Sequence, residues 1–151
     1  MIIEGKFTLR APIEKLWEML LEPDTLGSCM PGAEKVERID EKTYEAVVKQ
    51  KVGPIKVTLK FKNILTKIEP PTHLELEGEG QDITKLGHFK QKTVVDLRGL
   101  DSGEVELSYR ADVSIVGKLA MFGDRVMRSK AKDVEKEFTA NLQNRLRSME
   151  F

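Results

Sequence analysis

One cysteine, Cys29, stands alone in 151 residues. With no partner there is no internal disulfide, and a reducing compartment suits the chain. Net charge is equally scarce, since 25 Lys and Arg balance 25 Asp and Glu. A neutral chain without a dense basic block has no long-range attraction for nucleic acid, so no nucleic-acid partner is expected. No apolar run approaches the roughly 20 residues that span a bilayer. The opening Met1-Ile2-Ile3-Glu4-Gly5-Lys6 is already charged and strand-like, unlike a signal peptide. The expectation is a cytoplasmic protein, with any membrane contact peripheral and at the inner face. Histidine is sparse too. His73 at a strand start and His88 on an outer face lack the Cys or carboxylate spacing of a metal site, and no Gly-rich phosphate loop occurs.

What is present is a globular composition, 40% hydrophobic and 33% charged, in a length that suits one domain over residues 1–151. Residues 2–10 alternate as a first strand. Pro12 opens a helix whose buried face is Ile13, Leu16, Trp17, Leu20 and Leu21. Pro23 ends it, and a short second helix or turn leads to the rigid corner Cys29-Met30-Pro31-Gly32. Six strands follow, over residues 34–40, 42–52, 56–69, 73–81, 88–99 and 104–115. Their one-sided alternation predicts one packed and one wet face. The fourth strand slips its pattern around Asn63-Ile64-Leu65, which reads as a bulge.

From Gly117 to Met149 the spacing predicts one long helix with the stripe Leu119, Phe122, Val126, Met127, Ala131, Val134, Phe138, Leu142 and Leu146. At 1.5 Å per residue it would run roughly 48 Å and cross the whole sheet. Strand, two helices, six strands and a long helix make an α+β, helix-grip arrangement: a curved seven-stranded antiparallel sheet wrapped around the last helix. Small or slim residues line the trough beneath that helix, so the pattern predicts a cavity.

This order resembles the START/Bet v1-like superfamily of lipophilic-ligand-binding domains. Three segments sharpen the likeness: Met30-Pro31-Gly32, then Val52-Gly53-Pro54-Ile55-Lys56, then Val116-Gly117-Lys118-Leu119-Ala120 with Gly123. In that order and spacing they resemble the carbon monoxide dehydrogenase G-subunit family, over nearly the whole chain. The resemblance implies a non-catalytic accessory protein that holds a quinone-like lipid and assists a molybdenum-containing dehydrogenase at the membrane, with no covalently bound cofactor. Longer members carry a C-terminal membrane-anchoring segment; this sequence stops at Phe151 after Arg145, Arg147 and Glu150.

Inward strand positions supply the candidate ligand wall: Tyr44, Val48 and Gln50, then Leu59 and Phe61, then Leu76, Gly78 and Gly80. Phe89, Gln91 and Tyr109 complete it on the last two strands, and Leu119, Phe122 and Met127 extend it onto the helix. The two glycines leave either curvature or ligand space; the polar groups would orient a ligand or bond one another. The turns at Gly53, Pro54 and Ile55 and at Ile83 and Leu86, with Gly123, are the candidate cavity mouth. No catalytic set is expected. Tyr109 is the sole inward acid–base candidate, and Cys29 reads as a packed thiol. Glu75, Glu77 and Glu79 share an outer face, where strand lysines would pair them. Lys130, Lys132, Lys136, Asp133, Glu135 and Glu137 read as the wet side of the last helix. Two other functions stay open on this reading: a docking protein with a filled interior, and a cyclase or hydrolase on the same scaffold.

Overall fold

A computed structural model describes residues 1–149. One antiparallel sheet holds seven strands in the order β1-β7-β6-β5-β4-β3-β2. The strands are β1 (Ile2–Arg10), β2 (Ala33–Arg38), β3 (Thr43–Val52), β4 (Ile55–Glu69), β5 (His73–Asp82), β6 (Gly87–Gly99) and β7 (Glu104–Gly117). Strands β2 to β7 form a meander, and β1 adds at the far edge beside β7. Short connections explain the meander. Between Val52 and Ile55, for example, only Gly53 and Pro54 intervene, and Gly53 takes φ 59°, the left-handed conformation that a tight hairpin needs at its first position. The sheet curls because its long strands twist and because ladders slip, between Leu65 and Lys67 on β4 and between Ala33 and Lys35 on β2. The expected bulge thus lies just after Leu65. Asn63 and Leu65 keep their inward alternation, and Ile64 points out to solvent.

Helices α1 (Ile13–Leu20) and α2 (Pro23–Cys29) close one end. Leu16, Trp17 and Met19 bury the inner face of α1. They pack with Leu9, Leu97, Leu142 and Leu146 into the main core. Helix α3 spans Gly123–Arg147, shorter than the single helix read from Gly117. Gly117 and Gly123 take φ 87° and 76°, which no α-helix accommodates. Between them Lys118–Phe122 forms a 3₁₀ turn. At 25 residues α3 is roughly 38 Å long, still enough to cross the sheet.

Side chains of Asn141 and Arg145 tie the end of α3 to α2. The Asn141 amide donates to the Cys29 carbonyl at 2.9 Å, and the Arg145 guanidinium donates to Ser28 Oγ at 2.6 Å. At the opposite end a second, smaller cluster forms around Val52, Val57 and Leu119. The molecule is therefore packed solid at its two ends, and the site lies between them.

Candidate functional site

The stripe of α3 has two destinations. Leu142 and Leu146, at 0% and 1% exposure, sink into the main core. Met127, Ala131, Val134 and Phe138 precede them on the same face yet line a cavity of about 540 Å³. Strand residues Phe7, Phe61, Leu65, Leu76, Val95 and Leu107 form its floor. Leu20, Leu21 and Leu26 from the two small helices, with Met30 and Val36, form one flank. Almost every wall group is apolar, and the volume matches that of a small-molecule pocket, about 300–1,000 Å³.

Of the positions read as ligand wall, Tyr44, Val48, Phe61, Leu76, Tyr109 and Met127 line this cavity. The others lie elsewhere, for identifiable reasons. Gly80 pairs with Phe61 on one side and Phe89 on the other. Those two rings meet edge-on above it, with centroids 5.9 Å apart. Gly78 repeats the device with polar groups. It pairs with Asn63 and Gln91, and the Gln91 amide donates to Asn63 Oδ1 at 3.2 Å. A Cβ at either glycine would collide with these neighbours. The room left by Gly78 and Gly80 is thus taken by the adjoining strands, so neither they nor Phe89 nor Gln91 reach the void. Gln50 turns to the corner instead, donating to the Pro31 carbonyl at 2.6 Å.

Leu59, Leu119 and Phe122 belong to the small end cluster. The candidate mouth residues are corrected in the same way. Ile55 and Leu86 pack into that cluster. A Cβ on Gly53 would lie 3.5 Å from the Phe122 ring, Pro54 shares the same turn, and Gly123 is exposed beside it. Ile83 stands out in solvent at 59% exposure. These residues gather at the end of the molecule that holds the small cluster, and none lines the cavity.

The wet side of α3 also needs correction. Lys130 and Glu135 face the cavity wall, and Tyr109 donates to Glu135 Oε1 at 2.6 Å. Burial, then the hydrogen bond and the negative charge of Glu135, push the Tyr109 hydroxyl well above its ordinary range. Gly5 makes the contact possible. It pairs with Tyr109, and a Cβ there would run into both members of the pair. The helical repeat from Met127 through Ala131 to Glu135 was the available signal for Glu135. Ile3 and Phe7 were signalled by the alternation of β1.

Outer groups behave as a solvated sheet face. Lys67 lies 3.9 Å from Glu75, and Lys92 lies 3.7 Å from Glu77. His73 has carboxylates close by after all. Its ring contacts Asp96 at 2.6 Å and Glu75 at 2.8 Å, and these bonds hold its pKa above the usual imidazole value. Both ring nitrogens are thereby occupied. Asp82, which the sequence did not single out, is 1% exposed. It accepts from the Thr58, Thr84 and Leu86 amides and from the Thr84 hydroxyl. Burial opposes its ionisation, and these bonds overcome that, holding the carboxyl below its ordinary value. Asp82 thus staples the β5–β6 turn. Cys29 is a buried free thiol. Among the described residues no helix is long and apolar enough to cross a membrane.

A curved antiparallel sheet gripping a long C-terminal helix is the START/Bet v1-like, helix-grip fold. Residues 5–147 match the carbon monoxide dehydrogenase G-subunit family (CoxG), and the chain belongs to that family. Its structure is similar to that of a conserved protein from Geobacillus kaustophilus, with a TM-score of 0.89 and 25% identity, covering 98% of this chain and 96% of that one. A START superfamily protein from Mycobacterium smegmatis superposes with a TM-score of 0.73 at 11% identity, over 97% of each chain. The Zhui aromatase/cyclase of a Streptomyces species superposes with a TM-score of 0.68 at 14% identity, over 97% of this chain and 93% of that one. Among curated proteins none matches the sequence.

Proposed function

We propose that this protein holds a hydrophobic small molecule, a quinone or another isoprenoid-like lipid, in the cavity beneath α3. In this reading it is a non-catalytic accessory to a molybdenum-containing dehydrogenase, working in the cytoplasm and touching the inner face of the membrane. The observation that carries the lipid reading is the hollow itself: about 540 Å³ of mostly apolar space with a few polar groups on its wall. Apolar burial at roughly 25 cal/mol per Å², less the ordering terms, would drive binding. Membrane contact draws support from the end that holds the small cluster. Met121, Ile83 and Val116 are exposed there by 84%, 59% and 59%, with Lys85 and Lys118 beside them in sequence, a combination suited to anionic lipid.

A cyclase or hydrolase would need an acid–base group working near neutral pH. Tyr109, the candidate read from the sequence, is pushed the other way and keeps its proton, and the Glu135 carboxylate beside it is engaged by that hydroxyl. A purely docking protein needs no interior void of this size. The test is extraction of protein purified from its native host, followed by mass spectrometry, with quinone titration monitored by thermal melting. Co-purified lipid, or a quinone-induced rise in Tm, is the expected result. Empty extracts together with an unmoved Tm would overturn the reading.

A further inference from the structure

The polar groups on the cavity wall differ in what their hydrogens already do. Tyr44 donates to the Leu21 carbonyl at 2.6 Å, and Thr93 donates to the Gln91 side chain at 2.8 Å. Asn63, on the wall, accepts from Gln91 through Oδ1, and its amide nitrogen is a donor. Lys130 is a donor only. Tyr109 and Glu135 are the exception. The one phenolic hydrogen is committed to Glu135 Oε1. What remains there is a phenolic lone pair and Glu135 Oε2, which takes no hydrogen bond from the described residues. Both are acceptors.

The wall's donors stand at other positions in the fold. Asn63 stands on β4, three strands from the β7 strand that carries Tyr109. Lys130 precedes Glu135 by five residues, about 7.5 Å along the helix axis.

Resting on the reading that this cavity takes a lipid, we propose that the Tyr109–Glu135 pair is a head-group subsite selecting ligands whose polar end donates a hydrogen bond. Phenols and alcohols fit. Carbonyl, ether and carboxylate ends set lone pairs against lone pairs, and a carboxylate adds like-charge repulsion. For a quinone-type lipid the subsite favours the reduced, hydroxyl-bearing form over the oxidised dicarbonyl form. Gly5 belongs to the device, since any larger residue would displace the pair that sets the polarity.

A matched pair of probes, decanol and decyl methyl ether, isolates the donated hydrogen. By calorimetric titration the wild type is expected to bind decanol about tenfold more tightly, the order expected of one hydrogen bond to a charged acceptor. Glu135→Leu removes the acceptor and frees the Tyr109 hydroxyl to donate. The decanol-to-ether ratio is then expected to fall to about one or below. Ether affinity held within about twofold shows that the variant's cavity is intact. Tyr109→Phe is expected to keep the preference, because Glu135 still accepts. Equal binding of both probes by the wild type, or a ratio unmoved by Glu135→Leu, overturns the subsite while leaving the lipid reading standing. Binding of neither probe overturns the cavity reading and the subsite with it.

Discussion

Filling the hollow from α3 is the most direct perturbation. Ala131 and Val134 both face the cavity and sit side by side on one helical face, three residues apart. Replacing both by phenylalanine places two rings in a space of about 540 Å³. Burying one such ring is worth about 1.5–3 kcal/mol, against which stand lost rotamer freedom and the small side chains already there. A net gain of about 2 kcal/mol for the pair is a conservative figure, and for a chain of this size it raises Tm by about 4–8 °C. A solid interior would give the opposite sign, since forcing rings into packed space costs about 1–3 kcal/mol. The second readout is ligand response. A lipid present at a hundred times its Kd stabilises by about 2.7 kcal/mol, or about 5–11 °C, and the double variant is expected to lose most of that shift. Differential scanning fluorimetry with and without a quinone measures both quantities. A lower apo Tm, or a ligand shift equal to that of the wild type, refutes the reasoning.

Other expectations concern the frame around the cavity. Leu142→Ala, at a site with 0% exposure, is expected to lose about 2–5 kcal/mol in urea unfolding, while Val126→Ala, 38% exposed, stays within about 0.5 kcal/mol; equal losses would contradict the unequal anchoring of α3. Gly80→Val is expected to destabilise by about 1–3 kcal/mol, because its side chain meets Phe61, whereas Gly99→Ala, with nothing within 4 Å, is neutral or mildly stabilising; the same urea titrations check both. Asp82→Ala removes the acceptor of three part-buried backbone amides and is expected to lose about 1–3 kcal/mol; a loss under about 1 kcal/mol would mean the β5–β6 turn holds without its staple. His73 has its pKa raised above 6.5, first by the hydrogen bond to Asp96 and then by that to Glu75. Its contribution to stability is therefore complete below that value and fades as pH climbs through the raised one. The Tm gap between wild type and His73→Gln is expected to be wider near pH 6 than near pH 9, and a constant gap argues against the pairing.

The frame was legible because period-two alternation and proline punctuation are local signals. Leu74, Leu76, Val105 and Leu107 fall on the inner face by spacing alone, and Pro23 marks the boundary of two helices. The site was legible only in part. Gly78 and Gly80 were correctly inward, but what fills the space above a glycine depends on the two strands beside it, and register is not a local property. Glu135 and Lys130 looked solvated because charge ordinarily marks the wet face of a helix. A charged side chain on the apolar stripe is tolerated here because the stripe faces a hollow and a tyrosine hydroxyl. The break at Gly117 and Gly123 was hidden by the apolar residues between them, which keep a near-helical spacing while the backbone reverses hand at each glycine.

The unequal anchoring of α3 makes it a cantilever. Its last turns are clamped in the main core and tied to α2 through Asn141 and Arg145, while its first turns follow the glycine-flanked 3₁₀ turn and overhang unfilled space. Bending is concentrated where the beam is unsupported, so access to the interior needs no rupture of the sheet. Amide exchange should therefore run fastest over residues 124–134 in the empty protein and slow there once the interior is occupied, leaving the clamped turns unchanged.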